Sequence, residues 1–149
     1  MKPSFGVLLP QFGEYASRDT LLRTAMTAEH LGFDSVWVRD HIVYQPRPFD
    51  DQDRTFLEPM VTLAAVAGVT DHLILGTACL IPYRHPIRTA LSLGSLETIA
   101  GAGRVIAGFG AGLRDEEFAA LGLGDIKRGQ MLREQVQIIR ELWAGGSVS

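Results

Sequence analysis

Three apolar runs in this sequence end in residues that could do chemistry. Asp40 and His41 follow SVWVR, Cys79 follows LILGTA, and the glycine-rich stretch 108–112 begins within RVIAGFG and continues beyond it. A histidine exchanges protons at neutral pH, and a neighbouring carboxylate favours its charged form. A cysteine thiolate is a nucleophile, and glycines let a flat ligand or a phosphate approach the backbone closely. What these residues can do depends on the elements that position them.

Four short runs have the character of buried strands, because they are apolar without a polar alternation. Such runs are typical of strands that are covered on both faces of a parallel sheet. They span residues 5–10, 35–39, 73–78 and 104–110. Helical patterns follow each run, at residues 18–32, 58–70, 85–103 and 125–146. In the last pattern four apolar residues share one helical face: Leu132, Val136, Ile139 and Trp143. The order βαβαβαβα predicts an α/β protein with a parallel sheet.

Two architectures fit this order. A doubly wound sheet could be complete within 149 residues, whereas a (β/α)8 barrel needs about 250 residues, so that this chain would supply half of one. No linker or low-complexity segment divides the chain, and residues 1–149 are interpreted as a single domain. In both architectures ligands bind at the carboxyl ends of the strands, which makes those four ends the candidate site.

Structural roles compete with chemistry at each of these positions. Asp40 could cap a turn or pair with Arg39, and His41 could be a solvated corner. Cys79 is expected to be an unreactive, half-buried thiol, since no base or helix N-terminus adjoins it. The segment 84–86 is expected to be a charged surface turn, and the glycine-rich stretch serves equally well for ligand approach or for tight packing at a barrel rim.

Composition and motifs exclude several classes of function. Leu113 stands where a dinucleotide fingerprint needs its third glycine, and no phosphate-binding P-loop pattern occurs. The net charge of -3 and the absence of a Lys/Arg run give no nucleic-acid surface. The one cysteine and four histidines have no metal-ligand spacing, so no metal site is predicted.

No stretch approaches the roughly 20 apolar residues that cross a bilayer, and the first apolar run is too short for a signal peptide. A cytoplasmic protein without a membrane partner is therefore expected. The long, polar segment 44–59 contains prolines and is expected to form part of a substrate entrance.

Four motifs in order resemble the luciferase-like monooxygenase family. They are GFDSVWVRDH, LILGTACLIPYRHP, LETIAGAGRVIAGFGAGLRDEEFAALG and LREQVQIIRELW. The similarity is strongest to members that use the deazaflavin coenzyme F420. It implies a (β/α)8 barrel of the TIM type, of which this chain supplies about four βα units, with the cofactor across the carboxyl ends of the strands.

The resemblance also implies a set of site residues. His41 would be the catalytic proton donor or acceptor beside the deazaflavin ring. A bend after the third strand, often with a non-proline cis peptide, would back one face of the ring. The implied cofactor-binding residues are Asp40, His41, Thr77, Ala78, Cys79, Gly110, Ala111 and Gly112.

The function expected from the resemblance is hydride transfer between F420 and a small organic substrate. Two alternatives stay open: an FMN-dependent monooxygenase, and a non-catalytic remnant or binding module that keeps only part of the fold. Four βα units leave two open sheet edges, so either a homodimer or a complementary chain is expected to complete the barrel.

Overall fold

A computed structural model describes residues 3–43 and 54–147. Its strands form one parallel sheet in the order β1-β2-β3-β4. They are β1 (Gly6–Leu8), β2 (Ser35–Val38), β3 (Ile74–Thr77) and β4 (Val105–Ile106). A doubly wound domain would place its strands in the order 2-1-3-4. The sequential order excludes that fold and confirms the prediction that this chain forms half of a TIM-type barrel.

In the part of the chain that the structure describes, five helices accompany the strands, with one 3-10 turn at Gly13–Tyr15. They are α1 (Arg18–His30), α2 (Pro59–Ala67), α3 (Pro86–Ala100), α4 (Asp115–Ala120) and α5 (Arg128–Trp143). Four of them were predicted. The fifth, α4, was not, because its six residues are too few to show a helical period.

Local signals begin and end these helices. The Ser17 hydroxyl accepts a hydrogen bond from the backbone N–H of Thr20 and caps α1, which ends before Gly32 at φ +77°. The Glu58 carboxylate accepts a hydrogen bond from Val61 N–H at the start of α2. Proline occupies the first turn of α2 and of α3, where its missing N–H costs nothing.

The core lies between the sheet and the helices. Val36, Val38 and Leu75 are fully buried there. On the opposite face of the sheet, the Trp37 indole lies beside Gly6 and Gly76 of the neighbouring strands, and a Cβ at either glycine would overlap it. The sheet thus has one covered face and one lined by Trp37.

The predicted apolar stripe on α5 is only partly correct. The buried residues of this helix are Gln135 and Ile139, whereas Trp143 is 51% exposed. Gln135 Nε2 donates to the carbonyl of Pro82, and Trp143 Nε1 donates to that of Ala90. The polar Gln135 can be buried because α5 packs along α3, and the Gln135 amide finds an acceptor in the loop that precedes α3.

Residues 44–53, the greater part of the expected substrate entrance, lie outside the described residues. Within residues 3–43 and 54–147, every helix is too short or too polar to cross a bilayer. The same ranges contain no group of three or more metal-ligating side chains.

Candidate functional site

The carboxyl ends of β2, β3 and β4 meet at one end of the sheet, which we call the rim. His41 and Asp40 follow β2, the bend 78–81 follows β3, and the glycine-rich turn leads from β4 into α4. A parallel bridge between Leu80 and Phe109 extends the pairing of these two loops beyond the strands. The rim therefore gathers most of the predicted site residues.

His41 is held by a buried carboxylate of α4. Its Nδ1 lies 3.1 Å from Glu117 Oε1, and the same oxygen accepts a hydrogen bond of 3.0 Å from the backbone N–H of Ile42. The Tyr83 hydroxyl donates to Glu117 Oε2 at 2.5 Å. Glu117 is only 2% exposed, whereas the His41 side chain keeps 23% of its surface exposed. One carboxylate thus joins the loops after β2 and β3 to α4.

The charge of Glu117 follows from these contacts. Burial opposes ionisation, but the hydrogen bonds from Tyr83 and Ile42 and the proximity of His41 outweigh it, so the pKa of Glu117 lies below its ordinary value. Burial and the hydrogen bond to Glu117 raise the pKa of Tyr83. Tyr83 therefore stays a donor to an ionised Glu117.

An ionised Glu117 selects one tautomer of neutral His41. Because the carboxylate only accepts hydrogen bonds, His41 Nδ1 carries the hydrogen and Nε2 keeps a free lone pair. The Phe12 ring meets the imidazole edge-on, with ring centroids 5.7 Å apart. The imidazole is therefore oriented from two sides, with Nε2 as its proton-accepting atom.

Asp40 has a separate set of partners. It is 3% exposed, and its carboxylate accepts two hydrogen bonds from Arg84, of 2.6 and 2.9 Å, and one of 2.9 Å from Ile81 N–H. Arg84 also contacts Glu58 at 2.8 Å. Asp40 thus pairs with Arg84 rather than with Arg39, and fixes the loop after β3.

The expectation of a charged surface turn at 84–86 is wrong for Arg84. Its side chain is 25% exposed and forms a bidentate pair with the buried Asp40. Burial alone would lower the pKa of Arg84, but the carboxylates of Asp40 and Glu58 reverse the effect and raise it. The residues are 44 positions apart, so only the fold reveals the pair.

The bend after β3 has the cis peptide that the family resemblance implied, between Ala78 and Cys79. Thr77 is 1% exposed, and its hydroxyl both donates to the carbonyl of Gly108 and accepts from its N–H, each at 2.9 Å. Burial, followed by the charge of Asp40, raises the pKa of Cys79. Ionisation of the thiol is therefore disfavoured, which agrees with the expectation of an unreactive cysteine.

The glycine-rich turn is packed closely against this bend. A Cβ at Gly108 would overlap the carbonyl oxygen of Thr77, and one at Gly110 would overlap the Cys79 sulfur. Gly112 has φ +79°, and its Cβ would lie 2.8 Å from Phe118. Packing therefore accounts for these glycines by itself, although residues 110–112 keep part of their surface exposed.

Of the predicted site residues, the structure brings Ala78, Cys79 and the turn 110–112 together and places His41 at the same rim. Asp40 and Thr77 are buried, and their side chains bond to other residues of the rim, Arg84 and Ile81 for Asp40 and Gly108 for Thr77. Sequence reasoning missed Glu117 as the partner of His41 and Tyr83 as a partner of Glu117. The only signal was the acidic pair in DEEF after the glycine-rich stretch, which does not say which carboxylate points inward.

Gln11, which follows the carboxyl end of β1, joins the rim to the segment before α2. It is fully buried, and its amide nitrogen donates to the carbonyls of Arg39 and Leu57 at 2.9 and 2.8 Å. Its amide oxygen accepts a hydrogen bond from Arg39 N–H. The guanidinium carbon of Arg39 lies 4.3 Å from the centroid of the Phe12 ring. These contacts fix the backbone that precedes Asp40 and His41.

Comparison with known proteins identifies the family to which this chain belongs. The family model described as luciferase-like monooxygenase matches residues 4–149. The chain belongs to the luciferase-like monooxygenase family. Its expected fold is confirmed by solved members, since the chain superimposes on 96% of its length with an F420-dependent secondary alcohol dehydrogenase in complex with an F420-acetone adduct, at a TM-score of 0.79 and 27% identity.

Among curated members of the luciferase-like family, the F420-dependent hydroxymycolic acid dehydrogenase of Mycobacterium tuberculosis is 36% identical over 97% of this chain. The FMN complex of the oxygenating constituent of 3,6-diketocamphane monooxygenase from Pseudomonas putida covers 96% of the chain with a TM-score of 0.78; at 24% identity it shows the fold alone. The chain spans 39% of the dehydrogenase, 42% of the alcohol dehydrogenase and 40% of the monooxygenase.

Proposed function

We propose that this chain carries the proton-handling half of the active site of an F420-dependent oxidoreductase that acts on a small organic substrate. The observation that supports the proposal best is the pair of His41 and the buried Glu117 at the carboxyl ends of the strands. A relative at 36% identity over almost the whole chain is named for F420-dependent dehydrogenation, and we extend that cofactor to this chain.

In the proposed reaction His41 moves the substrate proton. With Nδ1 committed to Glu117, Nε2 is the atom that accepts a proton from a substrate hydroxyl during oxidation, or returns it during reduction. Glu117 is a positioning residue: it holds the tautomer and stabilises the imidazolium that forms. Tyr83 and Ile42 N–H hold Glu117 in place, so that the imidazole needs no reorientation when it is protonated.

The residues of the rim fit a planar deazaflavin. The rim offers a partly exposed imidazole after β2 and, in the loops after β3 and β4, backbone of small residues in the bend at Ala78 and in the turn 110–112. These residues would hold the ring, and the deazaflavin supplies the hydride acceptor or donor when it is bound. Asp40 and Thr77 would keep the two loops in register from beneath.

FMN is the second candidate cofactor, since a solved structure of this fold contains it. Titration of the purified chain with F420 and, separately, with FMN distinguishes the two. We expect saturable F420 binding that quenches the cofactor's fluorescence, with FMN at least about tenfold weaker. Preferred binding of FMN would transfer the proposal to the monooxygenase, and binding of neither would leave a non-catalytic module.

A matched pair of histidine variants tests the assigned residue. His41→Gln should weaken F420 binding or its reduction by an alcohol, while His30→Gln should behave as wild type, because His30 is exposed at the far end of α1. Equal effects of the two substitutions would contradict the role of His41.

A further inference from the structure

The short helix α4 carries the carboxylate that holds His41. Its six residues are too few to form a stable helix by backbone hydrogen bonds alone, so its position depends on the side-chain contacts that it makes. Glu117 supplies the contacts to the rim, with Tyr83, Ile42 N–H and His41. Whatever else holds α4 in place therefore bears on the orientation of the imidazole.

Arg128, the first residue of α5, contacts α4 at two points. Its guanidinium carbon lies 4.1 Å from the centroid of the Phe118 ring, and its Nη2 donates to Asp115 Oδ1 at 2.5 Å. Phe118 is fully buried and the Arg128 side chain is 21% exposed, whereas the Asp115 side chain is 88% exposed. Exposed ion pairs contribute little, while a cation over an aromatic face contributes more as water is removed. The stack on Phe118 is therefore the stronger of the two contacts.

Phe118 connects Arg128 to the rim. Its ring meets the Tyr83 ring edge-on, with centroids 5.1 Å apart. The Tyr83 hydroxyl donates to Glu117, which is the neighbour of Phe118 on α4 and lies 3.1 Å from His41 Nδ1. We call this continuous set of contacts the α4 network, whose members in order are Arg128, Phe118, Tyr83, Glu117 and His41.

The helix that carries Arg128 is itself fixed to the rim loop. Gln135 of α5 is buried, and its Nε2 donates to the carbonyl of Pro82 at 3.2 Å. Pro82 directly precedes Tyr83, so α5 contacts both the helix that carries the carboxylate and the loop that carries its tyrosine partner. Arg128 thus stacks on α4 from a support whose position relative to the rim is set independently of α4.

We propose that Arg128 is a positioning residue for the proton transfer assigned to His41, and that it acts through the α4 network. Its stack on Phe118 keeps α4 against the rim, so that the Glu117 carboxylate stays within hydrogen-bonding distance of Nδ1. The hydrogen of neutral His41 is thereby kept on Nδ1, and Nε2 is left to accept the substrate proton. The inference rests on the proposed function for its part in catalysis, but the state of His41 that it predicts is measurable without a cofactor.

Nitrogen NMR of His41 at about pH 8, where a histidine of ordinary pKa is neutral, tests the proposal. Arg128→Met keeps an apolar stem but removes the guanidinium. The ratio of the Nδ1–H to the Nε2–H tautomer should then fall about threefold, the factor that corresponds to the loss of one partly exposed cation–π contact. An unchanged ratio in folded Arg128→Met protein would overturn the proposal, even if the free energy of unfolding had fallen.

A conservative variant separates the planar stack from the charge. Arg128→Lys keeps the positive charge but lacks the flat guanidinium that stacks on an aromatic ring, so the ratio should fall by less than in Arg128→Met. If Arg128→Met does not fold, as judged by circular dichroism, Arg128→Lys decides the question, and a wild-type ratio in that variant would then overturn the proposal.

A matched control on the same helix excludes a general effect of α5. Arg133 is exposed, and Arg133→Met should leave the tautomer ratio of His41 unchanged. The exposed His30 at the end of α1 serves as the internal reference in every spectrum. An equal fall in Arg133→Met and Arg128→Met would attribute the effect to the charge of α5 and overturn the role of the stack on Phe118.

Titration with F420 distinguishes failure of this inference from failure of the proposed function. If the wild-type chain binds no F420 but Arg128→Met lowers the tautomer ratio, the positioning of His41 by Arg128 stands and the cofactor assignment fails. If F420 binds but the ratio is unchanged in Arg128→Met, the proposed function stands and Arg128 is not a positioning residue.

Discussion

Asp40 and His41 are neighbours in sequence but belong to two different networks. Asp40 is 3% exposed and pairs with Arg84, which in turn contacts Glu58. His41 remains partly exposed and is held by Glu117. Every charged group of the Asp40 network has a partner within the protein, whereas the His41 network leaves one ring nitrogen for a ligand. We therefore assign the first network to the stability of the rim and propose the second as the one that performs chemistry.

The largest effect is expected from the Asp40 network. Asp40→Asn removes the charge opposite a half-buried Arg84 and should lower the free energy of unfolding by about 3 kcal/mol. Urea denaturation measures the loss, with Asp19→Asn as the control, since Asp19 pairs with Arg18 at the exposed surface. A loss below about 1 kcal/mol would mean that Asp40 does not anchor the loop.

The second effect separates chemistry from stability. His41→Gln should lower the rate of F420 reduction by an active alcohol by about 100-fold, because the general base is lost. The free energy of unfolding should change by only about 1 kcal/mol, since Glu117 keeps its hydrogen bonds from Tyr83 and Ile42. If His41→Gln lowered the free energy of unfolding as much as Asp40→Asn does, the two networks would not differ in the way described above.

The third effect is on the pH dependence of stability. The pKa of Glu117 is lower in the folded chain than its ordinary value of 4.5. Its stabilising contribution is therefore complete above that value and is lost as the pH falls through the lower, folded pKa. Glu117→Gln should lose less stability than wild type between pH 6 and acid pH, as measured by urea denaturation.

Glu116→Gln is the matched control for this prediction, because Glu116 is exposed and adjacent in sequence. It should retain the wild-type pH dependence. If both glutamine variants behave alike, the stabilisation comes from the general charge of α4 and not from the contacts of Glu117.

The smallest effect is expected at Cys79. Because burial and Asp40 raise the pKa of its thiol, alkylation by iodoacetamide should be slower than that of a free cysteine and should accelerate only at higher pH. Cys79→Ala should change F420 affinity by less than about threefold. Fast alkylation at neutral pH would show that the thiol is activated and would favour Cys79, in the bend, over His41 as the reactive residue.

The sequence predicts the repeating elements well because each has a local cause. Apolar runs, a capping serine and early prolines are signals that lie within a few residues of the helices and strands they specify. Strand ends then locate His41 without any knowledge of tertiary contacts. The family resemblance additionally identified the bend at Ala78 and Cys79.

The partners of the site could not be predicted in the same way. Glu117 is 76 residues from His41 and Arg84 is 44 from Asp40, so each contact depends on how the loops meet. The short helix α4 carries too few residues for a periodic pattern, yet it supplies the carboxylate. Glu116 and Glu117 look alike in sequence, and only packing buries one of them.

The most direct test of the account is the nitrogen NMR spectrum of His41 with and without F420. We predict that Nδ1 carries the hydrogen in neutral wild-type protein, that Glu117→Gln disturbs this preference, and that added F420 shifts the Nε2 signal while Nδ1 stays bonded. The opposite tautomer, or bound F420 that leaves the His41 signals unchanged, would contradict the assignment of His41 as the residue that moves the proton beside the cofactor.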